Sequence, residues 1–429
     1  MLVKVYLTNP RLEAARANLR AADDGVARAR AGYLPTIASS GSAGYETGGS
    51  GSGNLFTGTV SITQNVYSGG ETEASTSRAM NVVGAERARL VQAEQDVLLD
   101  AIAAYTALVR DKAVLDLASE NERRMRAQLD ATKDRKKFGD VTKTDVAQAE
   151  SRLARATADR VRAEGDRRTA EAEYRRIVGE APVAGDLPDI PGDLPADSAT
   201  AEEQAAQSYA VEAAGFEAAA ARDDVQVAMA ATRPRLNLTG EFGYTDVPSS
   251  TLSQNQRVGV AAVLAIPLYQ GGGEYARVRQ SKQVARRQDY ALEDARRAAT
   301  AEATAAFEDL RTARERIKSL EKQTDASAFA LEGVKQEALV GARTVLDVLD
   351  AEQELFAGEV ELQRVRRDAV LAAYRLRAAT GRLTATALGL QIEAYDPGIY
   401  HDASSNALFG LGGQLDAQEA AAAPPGTSE

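Results

Sequence analysis

The sequence predicts a mostly α-helical chain that carries a small set of membrane-spanning β-strands, organised as two tandem copies of one unit. Three observations lead there: a long internal repeat in constant register, two helix-forming stretches longer than a globular domain uses, and four strand-like segments of membrane-spanning length. The repeat is clearest where Phe138-Gly139-Asp140-Val141-Thr142-Lys143-Thr144-Asp145-Val146 overlies Val340-Gly341-Ala342-Arg343-Thr344-Val345-Leu346-Asp347-Val348. The same offset of 202 residues pairs Tyr67 with Tyr269, Gly70 with Gly272, Tyr105 with Phe307 and Gly179 with Gly381. Upstream, Pro35 and Tyr45 match Pro234 and Tyr244 at an offset of 199, so a short length change falls in the loop between. A register held over that distance means that both copies use one framework.

Each copy reads in the same order. In the first, Asn9 caps a helix that has Pro10 in its first position and runs to about residue 33, before Pro35. Strands are expected at 36–46 and 56–67, and the glycine-rich run Gly48-Gly49-Ser50-Gly51-Ser52-Gly53-Asn54 between them reads as a flexible exposed loop. No proline then occurs until Pro182, so one helix is expected over 71–137, a break at Gly139, and a second helix over 142–178 ending at Gly179. At 1.5 Å per residue the first is roughly 100 Å long. The second copy predicts a helix at 201–231, strands at 235–245 and 257–269, and helices at 274–340 and 344–380. Within 274–340, Ala303, Leu310, Ile317, Thr324 and Leu331 recur every seven residues, interleaved with Ala306, Ala313, Leu320, Ser327 and Val334. That is a heptad seam of small side chains, which brings helices close together. In each copy the medium and leading helices together match the length of the long one, so two short helices stacked end to end can line it. The expected division is residues 9–179 for the first copy, 180–200 for a connector with Pro182, Pro188, Pro191 and Pro195, 201–383 for the second copy, and 384–429 for a C-terminal segment with a disordered Ala/Pro-rich tail.

Composition excludes several classes. A net charge of −11 is wrong for nucleic acid, which needs a basic face. The absence of Cys removes disulfides, thiolate metal sites and N-terminal lipidation on a Cys. The single histidine, His401, reads as an exposed tail residue. The acidic residues lie on repeating helical faces rather than paired in a pocket, and Gly271-Gly272-Gly273 continues into Glu274-Tyr275 without the Lys and Ser/Thr of a phosphate-cradling loop. No enzyme, cofactor or metal site is therefore expected. The most apolar stretch, 258–269, contains Gly259 and Pro267 and is shorter than the roughly 20 residues of a spanning helix. Residues 1–7 are too short for a secretory signal, so an exported protein would be seen here truncated or mature.

The four strands decide the class. Phe56, Gly58, Val60, Ile62 and Val66 alternate, roughly, with Thr57, Thr59, Ser61, Thr63 and Asn65; Leu236, Leu238, Phe242 and Tyr244 alternate with Asn237, Thr239 and Glu241. Val260, Leu264, Ile266 and Leu268 continue the apolar face, and Tyr45, Phe56, Tyr67, Phe242, Tyr244 and Tyr269 sit towards strand ends, where an aromatic belt lies. A small soluble sheet has the same alternation; the strand length, polar hairpins and flanking aromatics favour the membrane. Four strands cannot close a barrel and lipid does not tolerate open edges, so membrane strands would require oligomerisation.

Together, the repeat, the hairpins and the tip sequences resemble the TolC-like outer-membrane efflux family, from Asn9-Pro10 to about Leu383. The most specific stretch is Val340 to Ala351, supported by Ala31-Gly32-Tyr33-Leu34-Pro35 and Pro267-Leu268-Tyr269-Gln270-Gly271-Gly272. The resemblance implies a homotrimer in which each protomer gives four strands to a twelve-stranded outer-membrane barrel and its helices to a periplasmic α-barrel. It implies a mouth at the two turns, where Phe138, Gly139, Val141, Thr142, Val340, Gly341, Ala342 and Thr344 would dock a periplasmic adaptor (membrane-fusion) protein and an inner-membrane ABC or proton-driven transporter. Lacking a lipidated Cys, the chain is similar to the unlipidated branch serving type I protein secretion and drug export. Asp140 and Ala342 depart from the family's usual Leu at the tips, and Ala338 stands where some members have a closing Tyr.

The mouth has a chemistry of its own. Asp347 and Asp350 share a helix face, whereas the first copy keeps only Asp145, with Gln148 in the second place. Around a threefold axis these become six carboxylates, which would raise one another's pKa and attract cations, or they are ordinary solvated helix charges. Arg343 is expected to reach Asp140 or Asp145 of a neighbouring hairpin and latch the mouth. The other readings are a soluble coiled-coil adaptor or scaffold, which leaves the strands without a role, and an enzyme, which lacks a site.

Overall fold

The structure is a computed structural model that describes residues 1–48, 51–182, 185–246 and 254–405. Its elements repeat in order. The first copy is α1 (Leu2–Thr8), α2 (Pro10–Arg30), a 3-10 turn (Ala31–Tyr33), β1 (Thr36–Gly48), β2 (Gly51–Tyr67), α3 (Glu71–Lys137) and α4 (Lys143–Val178). The second is α5 (Ser198–Ala205), α6 (Tyr209–Ala230), β3 (Arg235–Asp246), β4 (Gln254–Ala265), α7 (Gly273–Leu339) and α8 (Val345–Ala379), followed by α9 (Pro397–Ser405). Both long helices and both medium helices lie within two residues of their expected limits. The chain is mostly helical with one small antiparallel sheet, as the pattern predicts.

By packing the chain divides into two compact units. One comprises Met1–Ala14, Val91–Tyr209 and Arg296–Ala394, and the other Ala15–Leu90, Ala210–Ala295 and Tyr395–Glu429.

In the first unit the heptad seam of α7 is buried at half of its positions, with Ile317, Leu320, Thr324, Ser327 and Val334 half-buried. Ala303, Ala306, Leu310, Ala313 and Leu331 are in the core, and Val365 and Ala369 of α8 pack on Ala313. Small residues permit this approach: a Cβ on Gly358 of α8 would stand 3.2 Å from Thr324 Cγ2 of α7. The expected stacking of short helices is seen at its joints. Val5 of α1 shares a cluster with Val97, Ala101 and Leu108 of α3 and with Tyr174, Ile177 and Val178 of α4. Asn9 caps α2 through its Oδ1, which accepts from Arg11 N at 3.0 Å, while its Nδ2 donates to the Ile177 carbonyl at 3.1 Å. In the second copy Gly381, just past α8, lies against the Tyr209 ring that opens α6. The connector is irregular and pinned to this unit: Tyr105 donates to the Asp186 carbonyl at 3.2 Å, Ile190 packs on the α7–α8 seam, and Asp193 pairs with Arg377 at 3.1 Å.

In the second unit the sheet has the order β1-β2-β3-β4, antiparallel throughout. Its helices also meet closely. A Cβ on Gly84 of α3 would fall 2.8 Å from the Phe216 ring of α6, so that position has room only for glycine as the two now sit.

Four expectations are corrected. The helix at 201–231 is two helices, because the chain turns at Ala206–Ser208 through Gln207 N to Gln204 O and Ser208 N to Ala205 O bonds. The first copy breaks likewise between α1 and α2, and Asn9 and Ser208 differ by the same 199 residues as Tyr45 and Tyr244. The glycine run after residue 47 is mostly strand: β1 continues to Gly48 and β2 begins at Gly51, with Gly49 and Ser50 outside the described residues. Glycine imposes no loop when both neighbours complete the ladder. The last strand ends at Ala265 rather than 269, since Pro267 has no N–H to continue it. Finally, Asp396-Pro397-Gly398 opens a helix rather than a tail. His401 Nδ1 on α9 lies 2.7 Å from Oδ1 of Asp23 on α2, a carboxylate only 1% exposed. Burial pushes the Asp23 carboxyl up, and His401 opposes that shift. The expected disordered tail, from residue 406, lies outside the described residues.

Glycines in mid-helix separate close contacts from free surface. Gly84→Leu should overpack against Phe216 and cost about 1–3 kcal/mol, whereas Gly165→Ala in α4, where nothing lies within 4 Å, should stabilise by about 0.5–1 kcal/mol. Thermal unfolding in detergent followed by circular dichroism checks the opposite signs.

Candidate functional site: the helical turns and the sheet

Two places concentrate the residues singled out by sequence. The first is the pair of helical turns. In each, a glycine with positive φ, Gly139 (86°) or Gly341 (81°), ends the long helix, and a threonine opens the next. Thr142 and Thr344 form capping boxes. Asp145 Oδ2 accepts from Thr142 N at 2.7 Å and Oγ1 at 2.8 Å, and Asp347 Oδ2 accepts from Thr344 N at 2.9 Å and Oγ1 at 2.8 Å. The helix-start amides of Asp145 and Asp347 bond back to the threonine hydroxyls at 3.2 Å.

These bonds revise the expectation for Asp347. Within the protomer the Thr344 amide and hydroxyl, with Arg343 nearby, hold its carboxyl below the usual range, and the Thr142 amide and hydroxyl do the same for Asp145. Asp350 does not face Asp347 unpartnered, because Arg152 of α4 donates to its Oδ1 at 2.6 Å. Arg343 donates to Glu337 Oε2 at 2.7 Å on its own hairpin, a partner that the sequence reading did not name. Asp140 lies at the first turn, exposed.

Apolar side chains project at the same turns. Phe138 is 83% and Val340 81% exposed, while Val141 is half-buried against a cluster of Met125, Leu129, Val146, Val345 and Leu349 that joins α3, α4 and α8. Ala342 and Thr344 are exposed, and Ala338 is buried.

Above that cluster lies a charge network that sequence reasoning missed. Glu352 of α8 is 4% exposed, with Lys335 Nζ of α7 at 2.6 Å from Oε1 and Arg124 Nε of α3 at 2.9 Å from Oε2. Glu359 stands 4.0 Å from Arg124, and burial pushes its carboxyl up against the pull of that arginine. One carboxylate thus ties three helices. The signal was present: Glu352 falls on the stripe of Val345, Val348, Leu349, Leu355 and Phe356, where an acid is out of place without a buried cation.

The second place is the sheet. Partnered residues share a face, so the register defines one row running Ile37–Ile62–Gly240–Val260, another Ser39–Val60–Phe242–Val258, and a third Gly41–Gly58–Tyr244–Gln256. Ile37, Val60, Ile62, Phe242, Val258, Val260 and Leu264 on this face are all exposed large apolar residues. Near the hairpin ends stand Tyr45, Phe56 and Tyr244; Phe242 sits one rung further in. A bulge between Asn65 and Tyr67 brings Tyr67 opposite Leu236 at the other end of the strand, and Tyr269 follows β4. The opposite face carries threonine, serine, glycine and alanine together with Asn65, Arg235, Asn237, Glu241, Arg257 and Val263.

A sheet with an exposed apolar face, on a duplicated helical hairpin, is matched by known proteins. The model of the family described as "Outer membrane efflux protein" matches residues 2–180 and 201–382. The chain belongs to this family. Among its relatives, the outer membrane efflux protein BepC of Brucella suis is 33% identical over 96% of this chain and 91% of its own. The alkaline protease secretion protein AprF of Pseudomonas aeruginosa is 26% identical over 67% of this chain and 62% of its own. Among solved structures, the Campylobacter jejuni CmeC outer membrane channel superposes with a TM-score of 0.81 at 15% identity, covering 94% of this chain and 88% of that one, which shows the shared fold. As an outer membrane efflux protein the chain is a transport protein of the outer membrane and not an enzyme. No described helix is long and apolar enough to cross a membrane.

The caps and the buried acid give separable outcomes. Thr142→Ala and Thr344→Ala should each cost about 1 kcal/mol, read as faster amide exchange in the first turn of α4 or α8. Because Asp145 and Asp347 have depressed pKa values, their contribution is full above the unfolded carboxylate range and is lost as pH falls through the lower folded value; protection of these turns should therefore persist at mildly acid pH and vanish only below it. Glu352→Gln leaves Lys335 and Arg124 without their shared anion and should cost about 3 kcal/mol, measured by denaturant titration; a loss under about 0.5 kcal/mol would contradict a tie across three helices.

Proposed function

We propose that three copies of this chain form an exit duct for type I protein secretion, multidrug efflux or both. Each copy gives four strands to a twelve-stranded barrel in the outer membrane, and the helices form a hollow α-barrel in the periplasm. The turns at Gly139 and Gly341 form the mouth that docks a periplasmic adaptor and an inner-membrane ABC or proton-driven transporter. The duct does no chemistry; its energy comes from the inner-membrane partner.

The observation that carries this reading is the sheet. It has one largely apolar face and two edge strands, β1 and β4, each paired on one side only among the described residues. In hydrocarbon every unpaired backbone group costs several kcal/mol, so such a sheet persists in lipid only if other copies complete the ladder. Exposed Phe138, Leu339 and Val340 support adaptor docking, since large apolar side chains at a helical turn need a covering surface.

At the mouth Asp347 and Asp350 form a cation-attracting ring, with the Thr344 cap and Arg152 fixing where the charges lie. Arg343 would exchange Glu337 for Asp140 or Asp145 of a neighbouring hairpin when the mouth closes.

The protein should fractionate with the outer membrane, require detergent for extraction and run as a trimer that heat dissociates. A detergent-free monomer in water would support a soluble scaffold instead. In planar bilayers Arg343→Glu should raise single-channel conductance; unchanged conductance removes the latch. Asp347→Asn with Asp350→Asn should weaken block by multivalent cations, and identical block removes the acidic ring.

A further inference from the structure

The sheet face turned away from the apolar one carries many small residues. Leu55, Asn65, Asn237 and Val263 interrupt them, Arg235 stands at one end paired with Glu71, and two adjacent rungs nearer the middle each carry one charge. One runs Ala38–Ser61–Glu241–Gly259 and the next Ser40–Thr59–Gly243–Arg257. Each rung thus carries a single long side chain among hydroxyls, alanine and glycine, and the two are charged with opposite sign. Both Glu241 and Arg257 are exposed.

Gly243 sits between them. It is the direct cross-strand partner of Arg257 and lies two residues beyond Glu241 on the same face. A Cβ built on Gly243 would stand 4.0 Å from Arg257 Cβ and 4.0 Å from Glu241 Oε1. The glutamate end therefore leans over the glycine towards the arginine, in space that glycine leaves open. Charges on the lipid face of a membrane strand cost about 2–4 kcal/mol near the bilayer midplane, which agrees with both residues lying on the opposite face.

We infer that Glu241 and Arg257 form a paired charge ring lining the barrel, and that this ring sets the ionic selectivity of the outer-membrane section of the duct. The inference rests on the trimeric-barrel reading: threefold symmetry turns one pair into three glutamates and three arginines on adjacent rungs. The alternation keeps the ring near neutral, so cargo of either sign passes without a large electrostatic barrier. Removing one sign uncovers the other. A ring of like charge in a water-filled pore then concentrates counter-ions and excludes co-ions.

Reversal potentials of the reconstituted full chain in a potassium chloride gradient, at low salt where screening is weak, test this. Glu241→Gln should shift the cation-to-anion permeability ratio about twofold towards anions and Arg257→Gln about twofold towards cations, with the double variant returning to the parent value. As a variant that disturbs neither charge, Ser61→Cys places the sole thiol of the chain on the Glu241 rung. Its modification by anionic and cationic methanethiosulfonates should move the ratio in opposite directions. Channels of normal conductance whose selectivity none of these changes moves would overturn the ring while leaving the duct intact. A parent chain that forms no trimeric channel would overturn the duct reading and the ring with it.

Discussion

Each strand in a sheet offers hydrogen-bonding groups along both of its sides, and among the described residues β1 and β4 each have one side without a partner strand. Water could satisfy those groups on a soluble protein. Hydrocarbon cannot, and the same sheet presents Ile37, Val60, Ile62, Phe242, Val258 and Leu264 on an exposed apolar face that water disfavours. The two requirements meet only if lipid covers the face and neighbouring copies cover the edges. Membership of the outer membrane efflux family supplies the membrane; the unpaired edges supply the argument for assembly.

The helices meet a different constraint, since long helices that run side by side must approach evenly along their length. The sequence answers with small residues at the seam of α7, glycine where an aromatic ring or a threonine of the facing helix intrudes, and short helices joined at Asn9 and Tyr209. Where a charge enters the seam, as at Glu352, it is held by cations from two other helices. Such a tie is specific to one arrangement of the three helices, whereas the alanine contacts tolerate sliding. That difference makes the Glu352 network a candidate determinant of how the turns are held.

Periodicity made most of the architecture legible. Heptads located the α7 seam, proline-free runs gave the long helices, and alternation gave the sheet faces. What escaped reading depends on contacts between distant segments. The break at Ala206–Ser208 is invisible to propensity because alanine-rich sequence continues on both sides; only its match to Asn9 in the first copy betrays it. Helix α9 brings His401 to Asp23, far away in sequence, and a lone histidine before an Ala/Pro-rich tail gave no hint of that acid. At the turns the sequence reading named residues but not the bonds they make. Asp145 and Asp347 spend one oxygen on a capping box, Asp350 answers Arg152 and Arg343 answers Glu337, so local geometry claims these groups before any neighbouring copy can. The Thr-x-x-Asp spacing at both turns was the available signal.

The most direct test is a cysteine scan across the two sheet edges, made clean by the absence of native cysteine. Single cysteines would be introduced in pairs, one in β1 and one in β4, and oxidised in native outer membranes. Disulfide-linked species that end at three chains are expected for pairs in one consistent antiparallel or parallel register. No inter-chain linkage at any register, or a ladder extending past three, would contradict closure of the sheet by a trimer.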